Sequence, residues 1–369
     1  MSSPNNTSIT VPFNALKPAE DTSEVRAAIE RVIASGWFVL GPEVEAFERE
    51  FAAASGVDHA IGVGNGTDAI ALIVRALGIG PGDEVITAPL SAAFSALGIM
   101  MAGARPVFAD IDPERLTLDP KATEAAITPR TRAIMPVHLY GQPADLRPLQ
   151  AIAERHNLAL IEDAAQSQLA TCDGRPIGTF GIAAATSFYP TKNLGALGDG
   201  GAVLTRDAAL AARIKRLRNG GQSTRYQHVE FGVNTRLDEM QAAILRVRLR
   251  YLPAWTARRR TIAGAYRTAL AGSALRVPRE FDAGHVYHLF PLLTDRREAF
   301  QAHMTGKGVE TLIHYPVPIP RQPALEASSP AMCAVADRVC AQVVSLPMYP
   351  ALTDGHVAQV VDAATSFRP

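Results

Sequence analysis

Only three cysteines, Cys172, Cys333 and Cys340, occur in the 369 residues, and none belongs to a C-x-x-C pair. An odd, unpaired set argues against a disulfide framework or a structural zinc site and fits reduced thiols in a cytoplasm. No run of eighteen apolar residues appears, so no membrane span is expected. The N-terminus, MSSPNNTSITVPF, lacks a basic start followed by an apolar stretch and does not read as a secretory signal. Net charge is also missing: 36 Lys+Arg stand against 36 Asp+Glu. That balance argues against general attraction to nucleic acid or anionic membranes, and leaves room for a local basic pocket. Internal repeats and low-complexity segments are absent too.

What is present is an ordinary apolar fraction, 47%, in a chain long enough for two domains. At this size roughly three quarters of the unfolded surface is buried, so a large core needs no staples. Helical periodicity runs from Glu20 to Ser35 and stops at Gly36, and a second helix starts after Gly41-Pro42 with Val44, Phe47 and Phe51 on one face. From residue 59 short apolar strands (HAIGVG, DEVITAP, RPVFADI, TRAIMPVHL, LALIED, AAATSFYP) alternate with helical segments. The pattern predicts an α/β fold, a mostly parallel central sheet flanked by helices. Near residue 236 a long, basic, amphipathic helix begins, with Pro253 expected to kink or break it. We expect a large α/β domain over 1–240 and a smaller C-terminal α+β domain over 241–369.

Three segments carry chemistry. Gly62-Val63-Gly64-Asn65-Gly66-Thr67-Asp68 joins a strand to a helix. Glycines let backbone N–H groups approach an anion, and a helix N-terminus favours negative charge, so phosphate is the obvious guest. An unliganded βα turn has the same composition. A dinucleotide fingerprint counted from Gly62 fails at Thr67, and Asp83 precedes a strand instead of ending one. Asp68 suits the helix dipole but repels a dianion, so its side chain is expected to point away. In Leu160-Ile161-Glu162-Asp163-Ala164-Ala165-Gln166 an apolar strand ends in two acids, where open α/β sheets place ligands, although a solvated loop begins the same way. In Ser187-Phe188-Tyr189-Pro190-Thr191-Lys192-Asn193-Leu194-Gly195 a strand runs into a lysine set between a hydroxyl-bearing strand end and the glycine-rich Gly198–Gly201 turn. Together these are the parts pyridoxal 5'-phosphate (PLP) requires: an amine to condense with its aldehyde, an Asp for the pyridine nitrogen, and a phosphate cup.

Longer motifs carry a resemblance. Phe38-Val39-Leu40-Gly41-Pro42-Glu43-Val44, Gly64-Asn65-Gly66-Thr67-Asp68-Ala69, Pro106 to Asp112, Glu162 to Ser167, Ser187 to Gly201, Asn234 to Ala243, Ile313-His314-Tyr315-Pro316 and Leu346-Pro347-Met348 follow one another in order. The chain resembles the DegT/DnrJ/EryC1/StrS nucleotide-sugar aminotransferases, PLP-dependent transferases of fold type I. The resemblance implies that Lys192 carries PLP as a Schiff base and shuttles a proton, that Asp163 pairs with the pyridinium nitrogen, and that Gln166 lies near the phenolic oxygen. Gly66, Thr67 and Ser187 would hold the phosphate, and Asn234 would reach the phosphate of a neighbouring subunit in a homodimer. His314 and Tyr315, on a proline-rich loop, would touch substrate. The implied substrates are glutamate and a nucleotide-linked keto sugar. The G-N-G-T-D-A form resembles the subgroup acting on 3-keto sugars. Ala92 stands where the family usually sets an aromatic ring on the cofactor face; either Phe94, two residues on, compensates, or the face is covered differently. Gln168, Pro320 and Gly220 also depart from common family residues.

Rival readings are a sugar dehydratase of the same fold, which has histidine in place of the lysine, a cyclitol aminotransferase, and a non-catalytic PLP or sugar-nucleotide binding regulator. His285 and His288 are spaced like a metal pair, but Tyr287 and Phe290 beside them point to packing. The run Arg246, Arg248, Arg250, Arg258, Arg259 and Arg260 reads as a solvated helix face.

Overall fold

The computed structural model describes residues 9–17, 19–328 and 332–368. Seven strands form the central sheet in the order His59–Val63, Gly201–Thr205, Ala183–Ser187, Ala159–Asp163, Thr131–Met135, Glu84–Thr87, Arg105–Phe108. The last five in this order are mutually parallel. Gly201–Thr205 runs against both its neighbours. The α/β expectation therefore holds, with one strand opposed. That strand escaped the sequence reading because its glycine-rich entry looks like a turn. The glycine has a packing reason: a Cβ on Gly201 would lie 2.4 Å from the Asn65 carbonyl carbon.

Successive strand residues point to opposite faces. Ala133, Met135, Ala183, Ala185 and Val203 join one apolar cluster with Ile70, Ile73 and Ile214 of the helices Gly66–Ala76 and Ala208–Leu217. Ile134, Ala184, Ala202 and Leu204 join another, with Phe47 and Phe51 of helix Pro42–Ser55 and Ile152 of helix Leu146–Arg155. Burial on both faces is what the near-continuous apolar strands require.

The first helix spans Thr22–Ser35 and ends at Gly36, whose φ of 66° suits a residue without Cβ. The second, Pro42–Ser55, has no cap from its own Gly41. Its start is closed from afar: the buried Glu239 carboxylate accepts the N–H groups of Gly41, Glu43 and Val44, each at 2.8 Å.

Glu239 also opens the long helix, Glu239–Leu270. Contrary to the expected break, it continues through Pro253. Pro253 is exposed, so the bond it forgoes to the Leu249 carbonyl lies towards solvent, where water replaces it. The expected solvated arginine face is corrected too. Arg248 and Arg259 are buried, because the helix lies between other elements instead of on the surface. Its first half packs Ala243, Ile244 and Val247 against Val25, Ala28 and Val32. Its second half packs Ile262, Tyr266 and Leu270 against a smaller layer. That layer holds the antiparallel pair Phe290–Leu293 and Val343–Leu346, helices Arg297–Gly306 and Asp354–Ser366, and Val11, which bridges to Val309. No helix among the described residues is long and apolar enough to cross a membrane.

Candidate active site

The site forms at the carboxyl edge of the sheet, where Ala159–Asp163 and Ala183–Ser187 lie side by side with Asp163 opposite Ala185. Helix Gly66–Ala76 ends its N-terminus against this edge. A Cβ on Gly66 would come within 2.9 Å of the Ser187 Cβ, so only glycine fits that approach. Asn65 caps the helix by accepting the Asp68 N–H at 2.9 Å, leaving the Gly66 and Thr67 N–H groups without an intrahelical acceptor. Asp68 turns away as expected, accepting from Asn65 Nδ2 at 3.0 Å and from Thr235 Oγ1. Asn65 and Thr235 thus absorb its charge before it meets an anion at the cup.

Asp163 is buried at 3% exposure, which removes the solvated-loop reading. One carboxylate oxygen accepts from Ser95 Oγ at 2.7 Å and the other from the Ala165 N–H at 3.1 Å. Ser95 in turn meets Ser91 Oγ at 3.2 Å. Sequence reasoning missed Ser95; the i, i+4 pair of serines at the start of helix Phe94–Met101 was the available signal. Removing a hydroxyl bonded to a carboxylate costs about 1.5–3 kcal/mol. Ser95→Ala is expected to lower kcat by about tenfold through a misplaced Asp163, and Ser95→Thr to retain it. Steady-state kinetics of both variants check this, and an unchanged kcat in Ser95→Ala would rule it out.

Lys192 is half-buried. Burial pushes its amine from 10.5 down to about 8, against an upward pull from the Asp163 carboxylate. Lysine and aspartate therefore lie within electrostatic reach of one another. Two histidines lie in the same field. Burial, then the Lys192 charge, lowers His314 to about 4, and the same causes lower His288 well below its usual value. Both rings are neutral at physiological pH and add no competing cation. Gln166 is fixed at both ends of its amide: Oε1 accepts the Tyr140 N–H at 2.7 Å, and Nε2 donates to Tyr315 Oη at 3.1 Å. Tyr140 Oη donates to the His314 carbonyl, and His314 Nδ1 meets Ser345 Oγ at 3.0 Å. Burial holds the Tyr315 phenol up at about 12, so it keeps its proton.

Gln166, Tyr315 and His314 are thus joined through Tyr140, Lys192 and Asp163 lie within electrostatic reach of one another and of this group, and Gly66 packs on Ser187. Other expected residues make no side-chain hydrogen bond with these groups. Asn234 is exposed and bridges Asn219 through its backbone. Ala92 is half-buried, and Phe94 is 63% exposed at the start of its helix. Glu162, the other acid at the strand end, faces away into the core at 0% exposure. His285 stacks on Tyr287 with centroids 3.8 Å apart, and His288 Nδ1 meets Asn193 Oδ1 at 3.2 Å. Both rings are occupied by packing and hydrogen bonds.

These residues fit PLP. The helix N-terminus offers N–H groups free of intrahelical acceptors to a dianion, Gly66 lets that terminus approach Ser187 closely, and a desolvated amine lies within electrostatic reach of a buried carboxylate.

Comparison with known proteins agrees. The chain is 48% identical to the dTDP-3-amino-3,4,6-trideoxy-alpha-D-glucose transaminase of Streptomyces venezuelae, over 97% of this chain and 96% of that one. It is 42% identical to the UDP-2-acetamido-2-deoxy-3-oxo-D-glucuronate aminotransferase of Pseudomonas aeruginosa, over 93% and 96%. Its fold superposes on the crystal structure of S. venezuelae DesV in complex with a ketimine intermediate, with a TM-score of 0.94 and 47% identity, covering 96% of this chain and 97% of that one. Residues 19–365 match the family as a whole, and on these grounds this chain belongs to the DegT/DnrJ/EryC1/StrS aminotransferase family.

Proposed function

We propose that this chain is a PLP-dependent aminotransferase that exchanges the amino group of glutamate for the ketone oxygen at C3 of a nucleotide-linked 6-deoxyhexose. The observation that carries the reading is the desolvated Lys192 amine within electrostatic reach of the buried Asp163 carboxylate, at the sheet edge where the N-terminus of helix Gly66–Ala76 meets Ser187. The C3 position is supported by the two relatives named above, whose names place the amine or ketone at C3 of a nucleotide-linked sugar.

When bound, PLP supplies an electron sink for the pair released as a C–H bond beside nitrogen breaks. The chain's own residues do the rest. The Gly66 and Thr67 N–H groups and the Ser187 hydroxyl hold the phosphate. Asp163, pinned by Ser95 and Ala165, presents a carboxylate to the pyridine nitrogen. Gln166, fixed by Tyr140 and Tyr315, lies near the phenolic oxygen. Lys192 Nζ would take the proton from the donor's α carbon and deliver it to the cofactor side, so that the nitrogen stays behind when the 2-oxo acid leaves, and in the second half-reaction would carry a proton back to C3 of the sugar. Neutral His314 and protonated Tyr315 line the approach without charge.

The reading includes a homodimer. Trp37, Phe38, Phe94, Tyr189, Tyr226 and Phe231 are each more than half exposed, more aromatic surface than a monomer leaves in water. Asn234 lies on the same exposed segment as Phe231, consistent with a reach towards a neighbour's phosphate. Sedimentation is expected to give twice the 39.3 kDa chain mass, and a monomer at micromolar concentration would remove the shared site.

The reading as a whole is tested by incubating the PLP-loaded chain with glutamate and dTDP-linked 3-keto or 4-keto 6-deoxyhexoses. The expected result is 2-oxoglutarate and 3-amino sugar in equal amounts. Turnover of the 4-keto sugar alone would overturn the position. No turnover with either, PLP being bound, would favour a binding protein.

A further inference from the structure

Behind the lysine loop lies a cavity of about 200 Å³ that none of the roles above uses. Lys192 and Thr191 form one wall, and Asn14, Lys17, Trp255 and Arg259 contribute to the others. Arg259 is its unusual member. It is 5% exposed, and its bonds go to the carbonyl oxygens of Tyr287 at 3.1 Å, His288 at 3.3 Å and Met348 at 2.7 Å, all from Nη1. Its Nε, also buried, has no partner.

Arg248 offers the contrast. It lies three turns earlier on the same helix face, is also buried, and has its counter-ion: Asp21 accepts from its Nε at 2.8 Å. The two acids that line the cavity are both engaged, Asp21 by Arg248 and Glu20 by Trp255 Nε1 at 2.6 Å. Buried guanidinium groups are ordinarily paired with an anion, because carbonyl dipoles alone do not replace the lost hydration of a full charge. Burial pulls Arg259 down to about 9, which still leaves it charged at neutral pH. Arg259 is therefore a buried cation held by carbonyl dipoles alone, and it lines the same cavity as the exposed Lys17.

We propose that the cavity between residues 14–17 and 19–21, the Lys192 loop and Arg259 is a binding site for a small oxyanion, either the carboxylate of an amino donor or free phosphate. Arg259 supplies a buried charge with no carboxylate partner, the exposed Lys17 adds a second positive charge to the lining, and the Thr191–Lys192 wall places the anion against the loop that carries the catalytic amine.

The test is calorimetric titration of the PLP-loaded chain, whose phosphate cup is then filled, with inorganic phosphate and separately with succinate at constant ionic strength. One saturable site per chain is expected for at least one probe. Lys17→Glu, a change at an exposed position, and Arg259→Met are each expected to weaken it roughly tenfold or more. Succinate binding that competes with glutamate identifies the donor carboxylate as occupant. Phosphate binding that leaves the glutamate KM unchanged identifies free phosphate. If neither probe saturates, or if binding is undiminished in Lys17→Glu and in folded Arg259→Met, the proposal fails. The titration needs no turnover, so an error in the assigned reaction does not affect it.

Discussion

Replacing Lys192 by alanine is expected to lower amino transfer at least about 1,000-fold, because the residue both attaches the cofactor and moves the proton. Borohydride reduction of the PLP-loaded wild-type chain is expected to leave the cofactor on the peptide containing Lys192, and to leave none in Lys192→Ala. Covalent cofactor found on another lysine in the variant would reassign the site. A pH signature accompanies this. An unperturbed lysine is about 0.03% neutral at pH 7, whereas an amine lowered to about 8 is about a tenth neutral. The rate of PLP uptake by cofactor-free protein is therefore expected to climb with pH and level off above about 8. The Asp163 charge opposes this shift, so Asp163→Asn moves the midpoint to lower pH. A wild-type midpoint near 10.5 would mean that burial does not act on the amine.

Glu162→Ala is expected to lose stability instead of chemistry, by about 3–5 kcal/mol, enough to unfold many single domains. The carboxylate is fully buried and accepts four hydrogen bonds: Gly178 N–H at 2.7 Å, Gly181 N–H at 2.9 Å, Phe180 N–H at 3.0 Å and His138 Nε2 at 3.1 Å. His138 Nδ1 accepts the Ala144 N–H, which fixes the ring's remaining proton on Nε2, towards Glu162. Alanine strands all four donors in the core. Burial alone would raise the Glu162 pKa, but His138 and the backbone donors outweigh it, and the folded value lies below the usual one. The unfolded chain thus takes up the proton first as pH falls. The stability is present in full above the ordinary glutamate range and is lost as pH drops through the lower folded value. Urea unfolding of Glu162→Ala and Glu162→Gln measures this. A loss under 1 kcal/mol for alanine would show that water replaces the carboxylate.

The neighbouring acids show how much of the site was legible. The strand end points to a ligand edge without choosing between its two acids, and Asp163 is singled out only by the longer motif from Glu162 to Ser167. The role of Glu162 could not be read, since its four donors come from a loop sixteen to nineteen residues on and from a histidine on another strand's exit. The helices Thr22–Ser35 and Pro42–Ser55 were readable from a glycine stop and a proline start, which are local signals. The Glu239 cap was not, because it acts across nearly two hundred residues. Strand Gly201–Thr205 was hidden by glycines whose purpose, clearance past Asn65, exists only in three dimensions. Pro253 and the buried Arg248 and Arg259 depended on which side of the helix met solvent, which a helix packed along its length does not declare in its own periodicity.

The long helix behaves mechanically as a beam pinned at two stations. Near one end Arg248 grips the Gly195 carbonyl at 2.6 Å, just past the lysine. Three turns on, Arg259 grips carbonyls at 287, 288 and 348 in the smaller layer. A stiff rod passes displacement along its axis without absorbing it. The loop that carries Lys192 and the smaller layer are therefore tied to one another through a single helix, so the position of each constrains the other.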